Sequence, residues 1–422
     1  MSALLDALRG RVRRLLLRRA GGIDLSKLSQ VPESLAWPLQ RDGLGASARL
    51  VEQPPVFRLT SFLGMTVWVV SGPEESKAVL ADATSYSTDI RPFVGERGST
   101  TDGDIGGLGF TDPPEHTRLR RLLTPEFTMR RLERLRPRVA RIVDEQLDAL
   151  AARAEQAGPG ESVDLVRDFA FPVPFSVICE LLGLPTEERD RFRELGTARF
   201  DVTYGGSGSL GAVSESRMFL KEATRRQRTD PGEGLIGQII REHGDEINDF
   251  DLAGLADGVF TGGLETTASM LALGTAVLLE DPDTYAALAD DASRAEPVVE
   301  ELLRYLSVVQ VAFPRFARHD LDLFGHPVRA GDVVICSLAG ANHHVGAAAS
   351  RQHLAFGHGF HRCVGAELAR MELRTAFPAL ARRFPDLRLA VPTSQLEVRQ
   401  RSLVFGVDAL PVLVHAPASA QT

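Results

Sequence analysis

The segment Phe356-Gly357-His358-Gly359-Phe360-His361-Arg362-Cys363-Val364-Gly365 carries the strongest chemical signal in the chain. Two glycines bracket an aromatic turn, and Cys363 then stands at the mouth of a helix expected over 364–383. A helix start offers unpaired N–H groups and partial positive charge, which favour a thiolate there. Phe356 and Phe360 could wall the sulfur off from water. A dry thiolate with backbone donors is a metal ligand or a nucleophile, although a buried, inert cysteine fits the spacing as well. His361, two residues away, has no evident partner to orient it for nucleophilic work.

Two further groupings could do chemistry. Thr261-Gly262-Gly263-Leu264-Glu265-Thr266-Thr267 lies inside an apolar, proline-free helical stretch over 250–280. Adjacent glycines cost a helix about 1 kcal/mol each relative to alanine. They open a groove for a ligand or allow a kink. A carboxylate and a hydroxyl beside that groove could hold water and relay protons; a helix-packing glycine pair with an exposed glutamate is the plainer alternative. His116 and Arg120 are four residues apart after Asp112-Pro113-Pro114, a helix-start signal. They share the side of Leu119 and Leu123, while Arg118 and Arg121 point away. Cations on an apolar flank want an anion, or else form an ordinary surface pair.

These residues need a frame, and the apolar periodicity supplies one. Helices are expected over 73–83, 114–123, 131–154, 163–183, 186–200, 212–228, 234–243, 250–280, 283–289, 297–306 and 364–383. Segments 56–60 and 65–70, joined through Leu63-Gly64, read as a β-hairpin, and strands return near 321–336 and 394–414. The class is mainly α with small β-sheets (α+β). One mixed domain over 45–415 is expected, with an N-terminal arm and lead-in over 1–44 and a disordered tail over 416–422.

The 422 residues are 44% hydrophobic and carry a net charge of −8, against disorder and against general nucleic-acid binding. Three scattered cysteines exclude a disulfide scaffold and a four-cysteine zinc or iron–sulfur site, and fit a reducing cytoplasm. The first twenty residues hold six arginines and no long apolar run, so they are not a secretory signal. Leu4, Leu8, Val12 and Leu15 recur at helical spacing there, as a solvated arm or a membrane-surface helix. The uncharged run Thr266–Leu279 is too short to span a bilayer, which takes about 20 residues. No Gly-x-Gly-x-x-Gly follows a strand and no phosphate-binding loop is present, so the chain carries no nicotinamide-binding motif of its own.

The cysteine segment matches, at every fixed position, the F-G-x-G-x-H-x-C-x-G signature of the cytochrome P-450 family of haem-thiolate monooxygenases, and the chain resembles soluble bacterial members of that family over about 45–415. The resemblance implies a triangular helical prism with a β-rich N-terminal lobe. It implies haem b (iron protoporphyrin IX) with Cys363 as its axial thiolate, and a role for Phe356, His361 and Gly365 around the cofactor. Gly262-Gly263 would be the dioxygen groove, with Glu265 shuttling protons and Thr266 steadying the bound oxygen. His116, Arg120 and Arg315 would hold the haem propionates.

Glu301-Leu302-Leu303-Arg304 resembles the family's E-x-x-R pair. On a helical wheel, however, Val298, Leu302 and Leu306 form the apolar face, and Glu301 and Arg304 fall opposite. They can be buried only under another segment, and the stretch 342–353 that would cover them is short and lacks the family's usual Pro, Asp and Phe residues. The implied activity is hydroxylation or epoxidation of a hydrophobic small molecule such as a macrolide, terpenoid, steroid or lipid. Its pocket would draw on 87–110, 196–212, Ala256 to Gly263, 308–313 and 403–405. Ferredoxin and ferredoxin reductase would deliver electrons to a cytoplasmic monomer, by docking near Arg121, Arg130, Arg131, Arg362, Arg370 and Arg374. A peroxide-driven oxygenase or isomerase and a non-catalytic haem sensor are the alternatives.

Overall fold

The computed structural model describes residues 33–62, 65–89, 108–158, 160–185, 187–192, 194, 207–399 and 402–414. The Arg-rich N-terminus, the Leu63-Gly64 turn, most of the expected pocket loop 87–110, much of 196–212 and the tail lie outside them. The organising element is the helix Asp249–Glu280, here the distal helix. Asn248 caps it by accepting from Asp251 N at 2.8 Å, and acidic Asp249 and Asp251 suit its positive start. Its second half, Thr267 to Ala276, is buried all round. There it packs with Ala295–Leu306, Ala366–Arg383 and Met129–Ala157 into the larger core. Its first half lies in a second core with Pro172–Leu182, Leu235–His243 and Glu115–Leu123. Among the described residues this is the one helix long and apolar enough to cross a membrane, and most of its apolar window is buried inside the fold.

The five-stranded sheet runs in the order Val56–Phe62, Met65–Val70, Val333–Cys336, Arg315–Ala317, Tyr86–Ser87. Met65–Val70 and Val333–Cys336 are parallel and the other pairs antiparallel, with a register shift between Arg58 and Thr60. The hairpin expectation holds. Arg388–Leu389, Pro411–Leu413 and Val163–Asp164 form a smaller antiparallel sheet. The lead-in before residue 45 packs as part of the body: Trp37 stacks on Phe57, and Arg41 and Leu44 are buried.

Most helices fall where periodicity puts them. The expected helix 163–183 does not. Val163–Asp164 is a strand, Val166–Ala170 a π-turn, and the α-helix begins at Pro172. Asp164 Oδ1 accepts from Val166 N at 3.0 Å and Leu410 N at 2.9 Å, which draws the backbone out of helical pairing. The short helix Leu338–Val345, capped by Ser337, was not legible from periodicity.

Helix Ala366–Arg383 carries a buried acid, Glu372, whose carboxyl burial pushes up to about 8. Between the ordinary glutamate value and that point the folded state holds a proton that the unfolded chain has lost, so stability falls as pH rises through the interval. Glu372→Gln is therefore expected to stabilise the protein at pH 8.5 by up to a few kcal/mol while changing little at pH 5. Thermal melts at the two pH values check this.

Candidate functional site

The cysteine loop is held by backbone geometry. Gly357 and Gly359 sit at φ +67° and +70°, and a Cβ on Gly359 would strike the carbonyl of Leu80. Only glycine meets both demands, which explains the two glycines of the motif. Cys363 N donates to Phe356 O at 2.9 Å and closes the turn, and the helix that follows begins at Ala366 with Gly365 as its cap. Phe356 lies under the Arg370 guanidinium at 4.6 Å, and Phe360 packs edge-on against His116.

Cys363 is accessible, yet its sulfur is surrounded by many protein atoms. The helix start alone favours a thiolate, but burial wins and pushes the thiol up, against the Gly365 N–H and the positive charges of Arg120, Arg362 and Arg370. A cation bonded to the sulfur is what would hold it ionised.

His116, Arg120, Arg315 and His361 gather near it. His116 is 2% exposed and its Nε2 has no hydrogen-bond partner. Arg315 is 1% exposed; Nη1 donates to Phe313 O at 2.8 Å, but Nε is unpaired and no carboxylate is bonded to it. The His116 and His361 rings are 4.4 Å apart, and His361 Nε2 lies 3.3 Å from Thr88 Oγ1. Burial and neighbouring arginines push both histidines down, His361 to about 3, and burial lowers Arg120 and Arg315. The two histidines are thus neutral, but Arg315, buried, and Arg120, half-buried, are cations without a bonded anion among the described residues, which is costly. As expected, Arg118 turns outward, to Glu115 at 2.7 Å and Asp251 at 2.5 Å, and Arg121 is exposed. Cys363 would suit a metal complex that takes a thiolate ligand, and His116, Arg120 and Arg315 would suit carboxylates that such a complex carries.

On the distal helix, Gly262 is exposed and a Cβ there would meet nothing within 4 Å, whereas one on Gly263 would press on Ile178. The helix stays continuous through both. Thr266 Oγ1 donates to Gly262 O at 2.6 Å, which leaves the hydroxyl oxygen free to accept from a guest in the groove. Glu265 is paired instead with Arg399, Nη1 lying 2.7 Å from its Oε1. Of the expected pocket walls, Phe313 and Leu403 are exposed, but Gln310 and Phe405 are buried. Gln310 accepts from Arg41 Nε at 2.7 Å and donates to Ser402 O at 2.7 Å, so it braces the wall.

The Glu301–Arg304 pair forms, at 2.6 Å, and the short stretch after Asn342 does cover it. Arg304 Nη1 donates to Asn342 O at 3.0 Å, and Asn342 accepts from Leu354 N at 2.5 Å. Arg304 is buried and Glu301 half-buried, against the helical wheel, because a chain segment distant in sequence lies over that side. The more deeply buried acid is its neighbour Glu300, unnoticed in the sequence. It binds Arg370 at 2.7 Å, Arg374 at 3.0 Å and His353 at 3.2 Å. Although burial pushes Glu300 up, Arg370 and His353 hold its carboxyl well below the usual range. Arg131 is likewise tied to Glu126 and Glu242. Of the six arginines expected to dock a partner, Arg121, Arg130 and Arg362 stand exposed, and among the described residues none of the three has an ion pair.

The cytochrome P450 family model matches residues 51–221 and 220–345, ending where the short stretch begins. Cytochrome P450 165C4 of Amycolatopsis orientalis is 38% identical over 82% of this chain and 86% of its own. P450 StaH from biosynthesis of the glycopeptide antibiotic A47934 superposes with a TM-score of 0.78 at 38% identity, covering 88% of this chain and 98% of that one. OxyC, a cytochrome P450 implicated in an oxidative C–C coupling reaction during vancomycin biosynthesis, gives 0.77 at 36% identity, over 88% and 95%. An accessible cysteine in its glycine-framed loop, a glycine-notched helix, two arginines without a bonded anion among the described residues and relatives matched over most of their length agree: the chain belongs to the cytochrome P450 family, as a haem-thiolate monooxygenase of bacterial type.

Proposed function

We propose that the protein inserts oxygen from O2 into a hydrophobic secondary metabolite, with Cys363 as the axial ligand of haem b and His116, Arg120 and Arg315 on its propionates. The observation that carries this reading is Cys363 beside the Arg120 cation, with His116 Nε2 and Arg315 Nε buried and unpartnered among the described residues. When bound, haem supplies the oxidising chemistry. The protein's part is to hold and to exclude. Phe356 and Phe360 shield the loop, the apolar distal helix keeps bulk water out, and Thr266 accepts a hydrogen bond in the groove. Glu265 is the acid from which protons reach that hydroxyl.

Thr266→Ala removes the acceptor and only one side-chain bond from an intact helix. The expected result is a folded, haem-loaded enzyme in which the share of electrons released as hydrogen peroxide rises severalfold. Parallel assays of oxygen consumption and peroxide check it.

Ferredoxin and its reductase are the proposed electron donors to a cytoplasmic monomer. Arg121, Arg130 and Arg362 are the exposed cations proposed for docking. Reduction by an acidic ferredoxin should slow steeply between low and 0.3 M salt, as screening shortens to less than about 8 Å. A flat profile in stopped-flow reduction would remove the docking idea.

A compound-library screen for substrate-induced spectral shifts, followed by mass analysis of products, tests the function. A gain of one oxygen atom supports hydroxylation or epoxidation. The resemblance to OxyC favours a second reading, oxidative C–C coupling, which would appear as loss of two hydrogens without added oxygen.

A further inference from the structure

Glu265 has a cationic partner that belongs to neither the distal helix nor the cysteine loop. Arg399 Nη1 lies 2.7 Å from Glu265 Oε1, Nη2 lies 3.3 Å from Ser269 Oγ, and Nε lies 3.5 Å from Asp408 Oδ1. Both partners are largely buried, with side chains 15% and 20% exposed. The contact depends on a glycine: a Cβ on Gly406 would collide with the Arg399 guanidinium and lie 2.6 Å from Ser269 Oγ. Arg399 N donates to Gly406 O at 2.9 Å, and Val398 bridges Val407. The same turn is stitched to the segment that leads into Arg315, through Gln310 N to Leu403 O at 3.0 Å and Phe405 N to Val308 O at 2.7 Å.

Glu265 and Thr266 therefore make separate bonds, one to Arg399 and one to Gly262 O. We propose that Arg399 is a positioning residue that holds Glu265 turned away from Thr266, and that Gly406 makes this hold possible by leaving room for the guanidinium. A carboxylate bonded to a guanidinium stays ionised and has no proton to give, whereas a buried carboxyl released from it takes a proton readily. Burial already pushes Glu265 up, Arg399 opposes that, and Asp408 adds to it. On release the carboxylate takes up a proton from hydronium and can pass it to the Thr266 oxygen as that hydroxyl gives its own proton to the guest in the groove, and the carboxylate returns to Arg399 as the anion. The inference rests on the reading of Glu265 as the proton donor.

The test is infrared titration of the Glu265 carboxyl in the haem-loaded protein, its band identified by its loss in Glu265→Gln. Arg399→Met should raise the midpoint by at least about one pH unit, a tenfold change in proton affinity. Gly406→Ala, which leaves both partners in place, should shift it the same way, and Arg399→Lys should restore most of the wild-type midpoint. An unchanged midpoint in folded, haem-loaded Arg399→Met or Gly406→Ala overturns the proposal. Failure of the underlying reading looks different. In that case Glu265→Gln leaves oxygen consumption with a surrogate ferredoxin unaltered, while the infrared midpoint still reports whether Arg399 holds the acid.

Discussion

Cys363→His is expected to leave the polypeptide folded and to abolish oxygenation. The sulfur takes no part in the hydrophobic core, and the loop around it is closed by the Cys363 N to Phe356 O bond, which the substitution keeps. What disappears is the anionic ligand. The reduced protein with carbon monoxide should then show the spectrum of a histidine-ligated pigment, and turnover should fall to background. A variant that retained the thiolate spectrum would place the ligand at Cys179 or Cys336. Both are buried, and burial pushes Cys336 up to about 12, far from the range in which a thiolate forms.

Arg315→Met should move two measurements in opposite directions. In the haem-free chain, Arg315 is a buried cation with one backbone bond, 5.7 Å from the Phe360 ring. Desolvating such a charge costs several kcal/mol, and an apolar side chain of similar length is often better tolerated. The apoprotein should gain about 1–3 kcal/mol of stability. The haem-loaded protein should lose a charge-assisted bond to a propionate, so haem affinity should drop by about 10- to 100-fold. Thermal melts of apoprotein and haem transfer to an acceptor globin read the two effects separately. Loss of stability in both forms would mean that Arg315 is a structural brace and not part of an anion cradle.

Much of this was written in the chain itself. The glycines at 357 and 359 are demanded by left-handed backbone and by contact with Leu80, so a local motif reports local geometry faithfully. The distal helix was legible because apolar residues all round admit no exposed face. The side of Glu115–Leu123 that holds His116 was legible from its heptad-like spacing alone.

What the sequence by itself determined about this protein is therefore what near neighbours in the chain impose: the cysteine turn, the glycine-notched helix, the hairpin and the helix class. Tertiary structure alone decided which distant groups meet. It chose Asn342 to cover Arg304, made Glu300 the hub of Arg370, Arg374 and His353, tied three of six candidate docking arginines to internal acids, and brought Arg399 to Glu265 across more than a hundred residues. A helical wheel assigns faces from one element's own composition, whereas burial and ion pairing depend on what another element lays over that face. That is the physical reason the first set could be read in advance and the second could not.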